Sequence, residues 1–361
     1  MGRSSTIHEL TAIIARNRRL GVPTLAPERR LAASLGVSRY EIKSAIAILK
    51  AKGMVEPRHG SGVYLKNPSA TIATKAAKRK ATTIAVGFLS KLNPGDIYYM
   101  KLFDALETAA AVDGVELSFH GDLRRQEEQS RLKELASANK IRGFLVAPGV
   151  PGRFILEMAG LVATVGIVNP NACGRSINCV EVNHHSQGLK AAEHLIKQGC
   201  RRLGFITDTP LSIGCQEQIA GMRAAAAFTG GVLDDGFVRS IPRVLASARR
   251  QNPHFWRQLA GVDGFLVRDD LMADLVVRRL AETGIRVPDD LLIVGVNNYL
   301  AGRVFKIPLT SIDTRLDTIC AEAIGILQRQ RSSRGGKVIH VLVEPELIIR
   351  MSTARAESPR L

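Results

Sequence analysis

Hydrophobic positions along this chain of 361 residues follow three different patterns. In the first 66 residues, apolar side chains recur at helical spacing, which predicts short helices that each bury one face. The segment 67–82 has no apolar period. After residue 82, short β-branched runs alternate with amphipathic segments, and this alternation predicts parallel strands with helices on both faces of a sheet. The clearest helical stripe consists of Ile42, Ala45, Ile46 and Leu49.

The stripe belongs to a predicted helix from Ser38 to Lys50 that follows a glycine turn. Ser38 and Glu41 have the spacing of a capping box, in which each side chain accepts a hydrogen bond from the other residue's backbone N–H. A shorter helix is predicted just before the turn, over Glu28–Leu35. Two helices joined by so short a turn indicate a helix-turn-helix, whose second helix can enter the major groove of DNA.

Two short strands are predicted after this helix, at Val55–Arg58 and Val63–Leu65, with His59-Gly60-Ser61-Gly62 as the turn between them. Glycines at the tip of such a hairpin allow the backbone to lie against phosphates or a narrow minor groove. Helices and hairpin together predict a winged helix-turn-helix domain over residues 1–66. A basic, flexible linker is predicted over residues 67–82, because that segment contains Lys75-Ala76-Ala77-Lys78-Arg79-Lys80 and no apolar period.

The alternating pattern after residue 82 predicts an α/β domain of two doubly wound subdomains over residues 83–350, followed by a tail over 351–361. We expect the second subdomain to begin with the strand Cys179–Val182. A facing pair of such subdomains encloses a cleft that can close on a small molecule, and the ligand lies at the carboxyl ends of the strands. Polar residues directly follow three of these strands: Asp208, Arg268-Asp269-Asp270 and Asn297-Asn298.

Positive charge is concentrated at the N-terminal end of the chain. Residues 1–80 contain 16 Lys and Arg but only 4 Asp and Glu, while the whole chain has a formal net charge of +17. A small basic domain joined to a nearly neutral one predicts binding of a polyanion, and nucleic acid is the favoured one.

Sequence signals for catalysis, metal binding and export are not found. The chain has no G-x-S-x-G pattern, no phosphate-binding G-x-x-x-x-G-K pattern and no His and carboxylate spacing typical of a metal site. We therefore predict no enzymatic activity, no cofactor and no metal. The five cysteines form no C-x-x-C pair, and no signal-peptide core or long apolar run is present, so we predict a cytoplasmic protein without a membrane segment.

Four segments of the first domain carry a family resemblance: Leu25–Ala32, Gly36–Arg39, Leu49–Val55 and His59–Val63. They resemble the winged helix-turn-helix of the GntR family. In this sequence Tyr40 replaces a usual small hydroxyl residue and Lys43 replaces a usual Arg, and lysine lacks the two-pronged guanidinium group that reads guanine. With Ser38 at the helix start, the resemblance implies that DNA is contacted by Arg29, Ser38, Arg39, Tyr40, Lys43, His59 and Gly60.

Six segments of the second domain carry another resemblance: Val182-Asn183 with Gly188, Glu193–Ile196, Gly199–Ile206, Val287–Asp290, Val294–Asn298 and Pro308–Ile312. They resemble the LacI-type effector domain, which implies the type I periplasmic-binding-protein-like fold of two subdomains. The resemblance further implies effector contacts by Gln218, Asp270 and Asn297. At Gln218 and Asn297 the family commonly has Arg and Asp, and the amides found here can still hydrogen-bond to hydroxyl groups.

A GntR-like domain on a LacI-like domain resembles the arabinose-repressor subgroup of transcriptional regulators. This resemblance implies a repressor that binds double-stranded operator DNA and responds to a small-molecule effector, a sugar. We expect a homodimer, because one winged domain reads too few base pairs and operators are palindromic. Two alternatives stay open. A solute-binding receptor would need the second domain alone plus an export signal, and a pyridoxal-phosphate regulator would need a longer catalytic body.

Overall fold

The computed structural model describes residues 10, 13–14, 24–35, 37–51, 54–58, 62–65, 83–88, 97–147, 149–167, 176–208, 212–242, 253–299, 305–330 and 337–354. Contacts divide the chain into two compact units, Met1–Lys80 and Ala81–Leu361. None of the helices within the described ranges is long and apolar enough to cross a membrane. The predicted linker at 67–82 lies outside the described residues, as does most of the predicted tail.

The first unit contains the two predicted helices and the predicted hairpin. Helix α1 spans Glu28–Leu35, helix α2 spans Arg39–Ala51, and the antiparallel strands are β1 (Val55–Arg58) and β2 (Gly62–Leu65). The apolar stripe of α2 is buried, because the two helices and the hairpin share one core. The side chains buried in that core include Leu10, Ile14, Leu25, Leu31, Ile42, Ala45, Ile46, Leu49, Val55 and Val63.

The second unit contains two six-stranded sheets. The strands of the first sheet are all parallel and lie in the order β13-β7-β6-β5-β3-β4. In chain order, the elements of this subdomain are β3 (Thr83–Gly87), α3 (Ile97–Asp113), β4 (Glu116–His120), α4 (Gln126–Ser137), β5 (Gly143–Val146), α5 (Gly152–Ala159), β6 (Ala163–Ile167), β7 (Asn178–Val182), α10 (Leu316–Arg329) and β13 (His340–Val343).

The second sheet has the order β14-β12-β11-β10-β8-β9, and only β14 runs antiparallel to its neighbour. In chain order, the elements of this subdomain are α6 (His184–Lys197), β8 (Arg202–Thr207), α7 (Ile213–Thr229), β9 (Val232–Ser240), α8 (Pro253–Gln258), β10 (Gly264–Val267), α9 (Asp270–Glu282), β11 (Leu292–Val296), β12 (Thr310–Asp313) and β14 (Glu346–Ile348). Short 3-10 turns follow at Leu259–Gly261 and Met351–Thr353.

One expectation from the sequence was wrong: the strand at Cys179–Val182 does not begin the second subdomain. It is part of β7, which pairs with β6 and β13 in the first sheet. The chain crosses to the second subdomain only after β7, crosses back between β12 and α10, and crosses again between β13 and β14. A β-branched run predicts a strand but carries no information on its pairing partner, so the boundary could not be read from periodicity.

Candidate functional site

The start of α2 is fixed by the predicted capping box. The Ser38 N–H donates to Glu41 Oε2 at 3.0 Å, and the Glu41 N–H donates to Ser38 Oγ at 3.2 Å. The Ser38 hydroxyl also donates to Glu41 Oε2 at 2.9 Å. The hydrogen bond from the Ser38 backbone N–H is the main cause of a lowered pKa of the Glu41 carboxyl, and the bond from the Ser38 hydroxyl adds to it. The first turn of α2 is therefore held in a defined geometry, with its remaining N–H groups directed outward.

Opposite its buried stripe, α2 presents a basic face to solvent. Arg39, Tyr40 and Lys43 are all exposed, and Tyr40 is 71% accessible although its ring is large and apolar. Arg29 is exposed on α1, and Ser38 is exposed at the helix start. The structure thus places five of the seven predicted DNA-binding residues on accessible surface. The other two, His59 and Gly60 in the predicted wing tip, lie outside the described residues.

The second unit contains a cavity of about 340 Å³ between its two subdomains. Strands β10 and β11 of the second subdomain end at the cavity, at the edge where parallel sheets bind ligands. The first subdomain contributes two tyrosines of α3 and residues at the crossings. The lining consists of Tyr98, Tyr99, Val182, His184, Gln187, Ser212, Gly214, Cys215, Gln218, Arg268, Asp269, Leu271, Val296, Asn297, Tyr299 and Thr314.

Helices α6, α7 and α9 begin at this cavity, and each start has a side-chain cap. Asn183 Oδ1 accepts from the Ser186 N–H at 3.0 Å, Ser212 Oγ from the Cys215 N–H at 3.2 Å, and Asp269 Oδ1 from the Met272 N–H at 2.8 Å. The caps satisfy backbone donors that would otherwise be unpaired at the helix ends. They also fix the positions of the cavity-lining residues in the first turns.

Two glycines let α6 and α7 pack in backbone contact. A Cβ atom on Gly188 would collide with the Gln218 carbonyl oxygen, and one on Gly221 would collide with the His185 carbonyl oxygen. This approach brings the side chains of Gln187 and Gln218 together, and Gln218 Nε2 donates to Gln187 Oε1 at 2.9 Å. Both side chains are buried, with 1% and 3% exposure. The predicted effector contact Gln218 therefore lines the cavity as half of an amide pair.

His184 completes this polar cluster. Its Nδ1 lies 2.8 Å from Gln187 Oε1, and because an amide oxygen only accepts, Nδ1 carries the proton. Burial lowers the pKa of the imidazole, which keeps the ring neutral near pH 7. Across the described ranges, no group of three His, Cys, Asp or Glu side chains is arranged to hold a metal ion.

The other two predicted effector residues lie at different depths. Asn297 lines the cavity with a positive φ of 89°, and its Nδ2 donates to the Tyr299 hydroxyl at 3.0 Å. Asp270 does not line it. The Asp270 carboxylate accepts from Ser311 Oγ and from the Tyr299 N–H, each at 2.7 Å, and burial raises its pKa to about 7. Asp270 thus supports the loop that carries Asn297 and Tyr299, and its neighbour Asp269 faces the cavity.

A lysine of the first subdomain bridges to the same loop. Lys101 Nζ on α3 donates to the Asn297 carbonyl oxygen at 2.7 Å and lies 3.7 Å from Asp313 Oδ1. An ammonium group with a carbonyl partner and a nearby carboxylate forms charge-assisted contacts. This bridge joins the two walls of the cavity.

Sequence reasoning found some of these residues and missed others. Arg268 and Asp269 were recognised because polar residues after predicted strands converge at one edge of a sheet. Gln187, Thr314 and the α3 tyrosines were not singled out, since nothing in their local pattern distinguishes them from surface or core positions. Two cysteines show that residue type alone does not identify the lining. Cys215 lies at the cavity, while Cys200 is buried in the core of the second subdomain.

Two parts of the chain match known families. Residues 8–65 match the gntR family of bacterial regulatory proteins, and residues 192–353 match the periplasmic binding protein-like domain. Both resemblances identified in the sequence are thereby confirmed. The chain joins a GntR-type helix-turn-helix domain to a periplasmic-binding-protein-like domain of type I architecture.

Individual proteins are similar to the chain over most of its length. An arabinose metabolism transcriptional repressor from Geobacillus stearothermophilus is 25% identical over 348 residues, covering 92% of this chain and 91% of that protein. A periplasmic binding protein/LacI transcriptional regulator from Alkaliphilus metalliredigens QYMF, complexed with D-xylulofuranose, has a TM-score of 0.62 at 19% identity, covering 76% of this chain and 100% of that chain.

A second solved structure extends over more of the chain than the first. The transcriptional regulator CelR–cellobiose complex has a TM-score of 0.62 at 19% identity and covers 91% of this chain and 100% of that chain. At this identity the two structures establish the fold. The relatives are transcriptional regulators rather than enzymes, which confirms the prediction that this chain is not an enzyme.

Proposed function

We propose that this chain, a GntR-type domain joined to a LacI-like effector domain, is a transcriptional repressor whose operator binding is controlled by a sugar in the cavity of the second unit. The observation that carries the proposal is the presence in one chain of an exposed basic helix face and a cavity lined by several polar side chains, each in a domain type that regulators use. Neither feature alone requires the other, and a ligand-controlled DNA-binding protein needs both.

On the DNA side, α2 is the recognition helix. Arg39 and Lys43 are one helical turn apart on its exposed face, so both can reach a single stretch of major groove. Tyr40 adds an exposed ring between them, suited to contact with a thymine methyl group or a sugar of the backbone. His59 and Gly60 contribute phosphate or minor-groove contacts from the wing, as the GntR resemblance implies. Arg29 contacts the backbone from α1.

On the effector side, a cavity of about 340 Å³ is at the small end of ligand pockets, which suits a monosaccharide or a small disaccharide. Gln218 and Asn297 supply amides for hydroxyl groups, and Asp269 takes the place that we had assigned to Asp270. Tyr98 and Tyr99 provide aromatic surface for the apolar face of a sugar ring. D-Xylulofuranose and cellobiose are the molecules bound in two structural relatives, and the same chemical class fits this lining.

The active form is a homodimer that presents two α2 helices to the two halves of a palindromic operator. Because its target is chromosomal DNA, the protein acts in the cytoplasm. Effector and operator binding are coupled reciprocally, so a sugar that weakens operator binding is itself bound more weakly by the DNA complex. The Lys101 bridge to the Asn297 loop supplies a contact that opening of the cavity would break.

The test is a gel-shift titration of the full-length protein on the DNA upstream of its own gene, with and without neutral sugars. We expect a retarded complex whose apparent Kd rises by about tenfold or more with at least one sugar, as typical coupling energies allow. Light scattering of the free protein should give twice the chain mass. Sugar binding without any DNA complex at low salt would instead support the solute-receptor alternative, and binding of neither would reject both.

A further inference from the structure

Two buried polar atoms on the cavity wall have no hydrogen-bond partner within the described part of the chain. They are Gln187 Nε2 and Thr314 Oγ1, and both residues line the cavity. Gln187 is 1% and Thr314 is 4% exposed. Buried polar groups in folded proteins are nearly always paired, because burial without a partner sacrifices hydrogen bonds to water. Two such groups at one cavity indicate partners on a bound molecule.

The orientation of the Gln187 amide is determined by its neighbours. Its oxygen already accepts from His184 Nδ1 and Gln218 Nε2, at 2.8 and 2.9 Å. Flipping the Gln187 amide alone, with Gln218 kept as it is, would set two NH₂ groups against each other, which is a clash of two donors. The NH₂ group is therefore the end left for the ligand. It can only donate, so its partner is an oxygen with a free lone pair.

The charges around the cavity favour an uncharged ligand. Arg268 is the single Lys or Arg side chain among the described lining residues, and its Nη1 lies 3.6 Å from Asp208 Oδ1. Asp269 is the one carboxylate among the described lining residues, and His184 is neutral because burial lowers its pKa. A phosphate group would thus meet one carboxylate and one arginine that already has an acidic neighbour, without the cluster of cations that usually binds it.

We infer that Gln187 and Thr314 are effector-binding residues, and that they select an uncharged polyhydroxylated molecule over its phosphorylated counterpart. Gln187 Nε2 donates to a ring or hydroxyl oxygen, and the Thr314 hydroxyl exchanges a hydrogen bond with a hydroxyl group. This inference rests on the proposed function, because it assigns the chemistry of the same cavity. Thr314 lies between β12 and α10, where the chain passes from one subdomain to the other. A ligand bound to Thr314 therefore contacts one of the segments that connect the two subdomains.

The experiment uses the full-length protein and isothermal titration calorimetry. The probes are a set of neutral sugars, namely D-ribose, D-xylulose, L-arabinose, D-glucose and cellobiose, together with D-ribose 5-phosphate and D-glucose 6-phosphate. The Thr314→Val variant replaces the hydroxyl by a methyl group of similar size, and Thr314→Ser keeps the hydroxyl. The Gln187→Glu variant keeps an oxygen for His184 and Gln218 but replaces the NH₂ donor by a carboxylate oxygen. Its matched control is Gln126→Glu, at an exposed position at the start of α4.

We expect at least one neutral sugar to bind, and each phosphate to bind about tenfold or more weakly than its parent sugar. Thr314→Val should weaken binding about fivefold and Gln187→Glu about tenfold, consistent with loss of one hydrogen bond each. Thr314→Ser and Gln126→Glu should match the parent protein. The unliganded melting temperature of Thr314→Val should equal or exceed that of the parent, because the buried hydroxyl has no partner in the described protein.

The outcomes separate this inference from the proposed function. If a sugar binds but Thr314→Val and Gln187→Glu bind it as tightly as the parent, or if a sugar phosphate binds most tightly, the inference is wrong while the proposed function stands. If no probe binds the parent protein, the sugar effector itself is refuted, and this inference is refuted with it.

Discussion

The exposed face of α2 and the wall of the cavity represent two different ways of recognising a polar partner. On α2, Arg39 and Lys43 are exposed cations, and neither forms a salt bridge with another described residue. Their positive electrostatic potential therefore extends into solvent. In the cavity, Gln187 and Gln218 are neutral, buried and hydrogen-bonded to each other, and the half-buried His184 bonds to Gln187. Long-range attraction tolerates imprecise geometry, whereas a buried amide requires an acceptor at one position. The two surfaces should therefore respond differently to salt, mutation and pH.

Salt should produce the largest difference between them. Each phosphate contact releases condensed counterions, so operator affinity should fall by about a hundredfold or more between 50 and 200 mM salt. Sugar affinity should change by less than about twofold over the same range, because the ligand is uncharged. Fluorescence anisotropy on labelled operator DNA and calorimetry on the sugar give the two slopes. Equal slopes would remove the distinction between the two surfaces.

Backbone contact between α6 and α7 should make Gly188→Ala the most damaging single substitution for the cavity. The new Cβ would collide with the Gln218 carbonyl oxygen, which cannot move without shifting α7. We expect a loss of about 2–3 kcal/mol in stability of the second unit and loss of sugar binding, as for overpacked cores. Calorimetric melting of the full chain measures the loss of stability.

The matched control is Gly325→Ala in α10. There the new Cβ would approach only the flexible end of the Arg329 side chain, and alanine favours a helix over glycine. That variant should melt at the parent temperature or above it. A Gly188→Ala variant that melts and binds sugar like the parent would show that the amide pair does not depend on the helix contact.

On the DNA side, Arg39→Ala should cost about 1–3 kcal/mol of operator affinity. Sugar binding should be unchanged, because the substitution lies in the other compact unit. Arg153→Ala is the matched control, since it removes an exposed arginine of α5 in the second unit. Gel shifts with both variants test the assignment. Equal affinities for the two variants would exclude Arg39 as a DNA contact.

The two surfaces also differ in how far the sequence could predict them. The capping box and stripe of α2 are contiguous, so its bounds, cap and exposed residues followed from local spacing. The cavity is assembled from segments that range from Tyr98 to Thr314. Strand ends predicted Asn297 and Arg268, but the Gln187–Gln218 contact depends on the packing of two helices around glycines. That contact, and the pairing of β7 in the first sheet, are tertiary properties that no local pattern encodes.

Asp270 was the one predicted effector residue that the structure sets behind the cavity wall, and pH should test its supporting role. Burial raises its pKa to about 7, against 3.8 for the ordinary carboxyl. The folded state therefore binds this proton more tightly than the unfolded state does. The resulting stability is fully present below about pH 4 and is lost as pH rises to about 7.

Between pH 5 and 7.5 the parent should lose about 2 kcal/mol more stability than Asp270→Asn, which has no proton to release. Buried histidines with lowered pKa, such as His184, oppose this trend, and comparison with the variant removes their contribution because they are common to both proteins. Melting temperatures at the two pH values provide the measurement. Identical pH responses would mean that Asp270 is not protonated in the fold.

The smallest expected effect concerns the start of α2. Ser38→Ala removes the hydroxyl that accepts from the Glu41 N–H and donates to the Glu41 carboxylate, and loss of such a cap costs about 1 kcal/mol. Hydrogen exchange of full-length protein should therefore accelerate about fivefold for amides in the first turns of α2. Ser44→Ala, within the same helix, should leave exchange unchanged or slow it, because alanine is the better helix former. Because the cap aligns Arg39 and Tyr40, Ser38→Ala should also weaken operator binding, while sugar affinity stays at the parent value. Equal exchange in the two variants would mean that tertiary packing of the apolar stripe alone fixes the helix start.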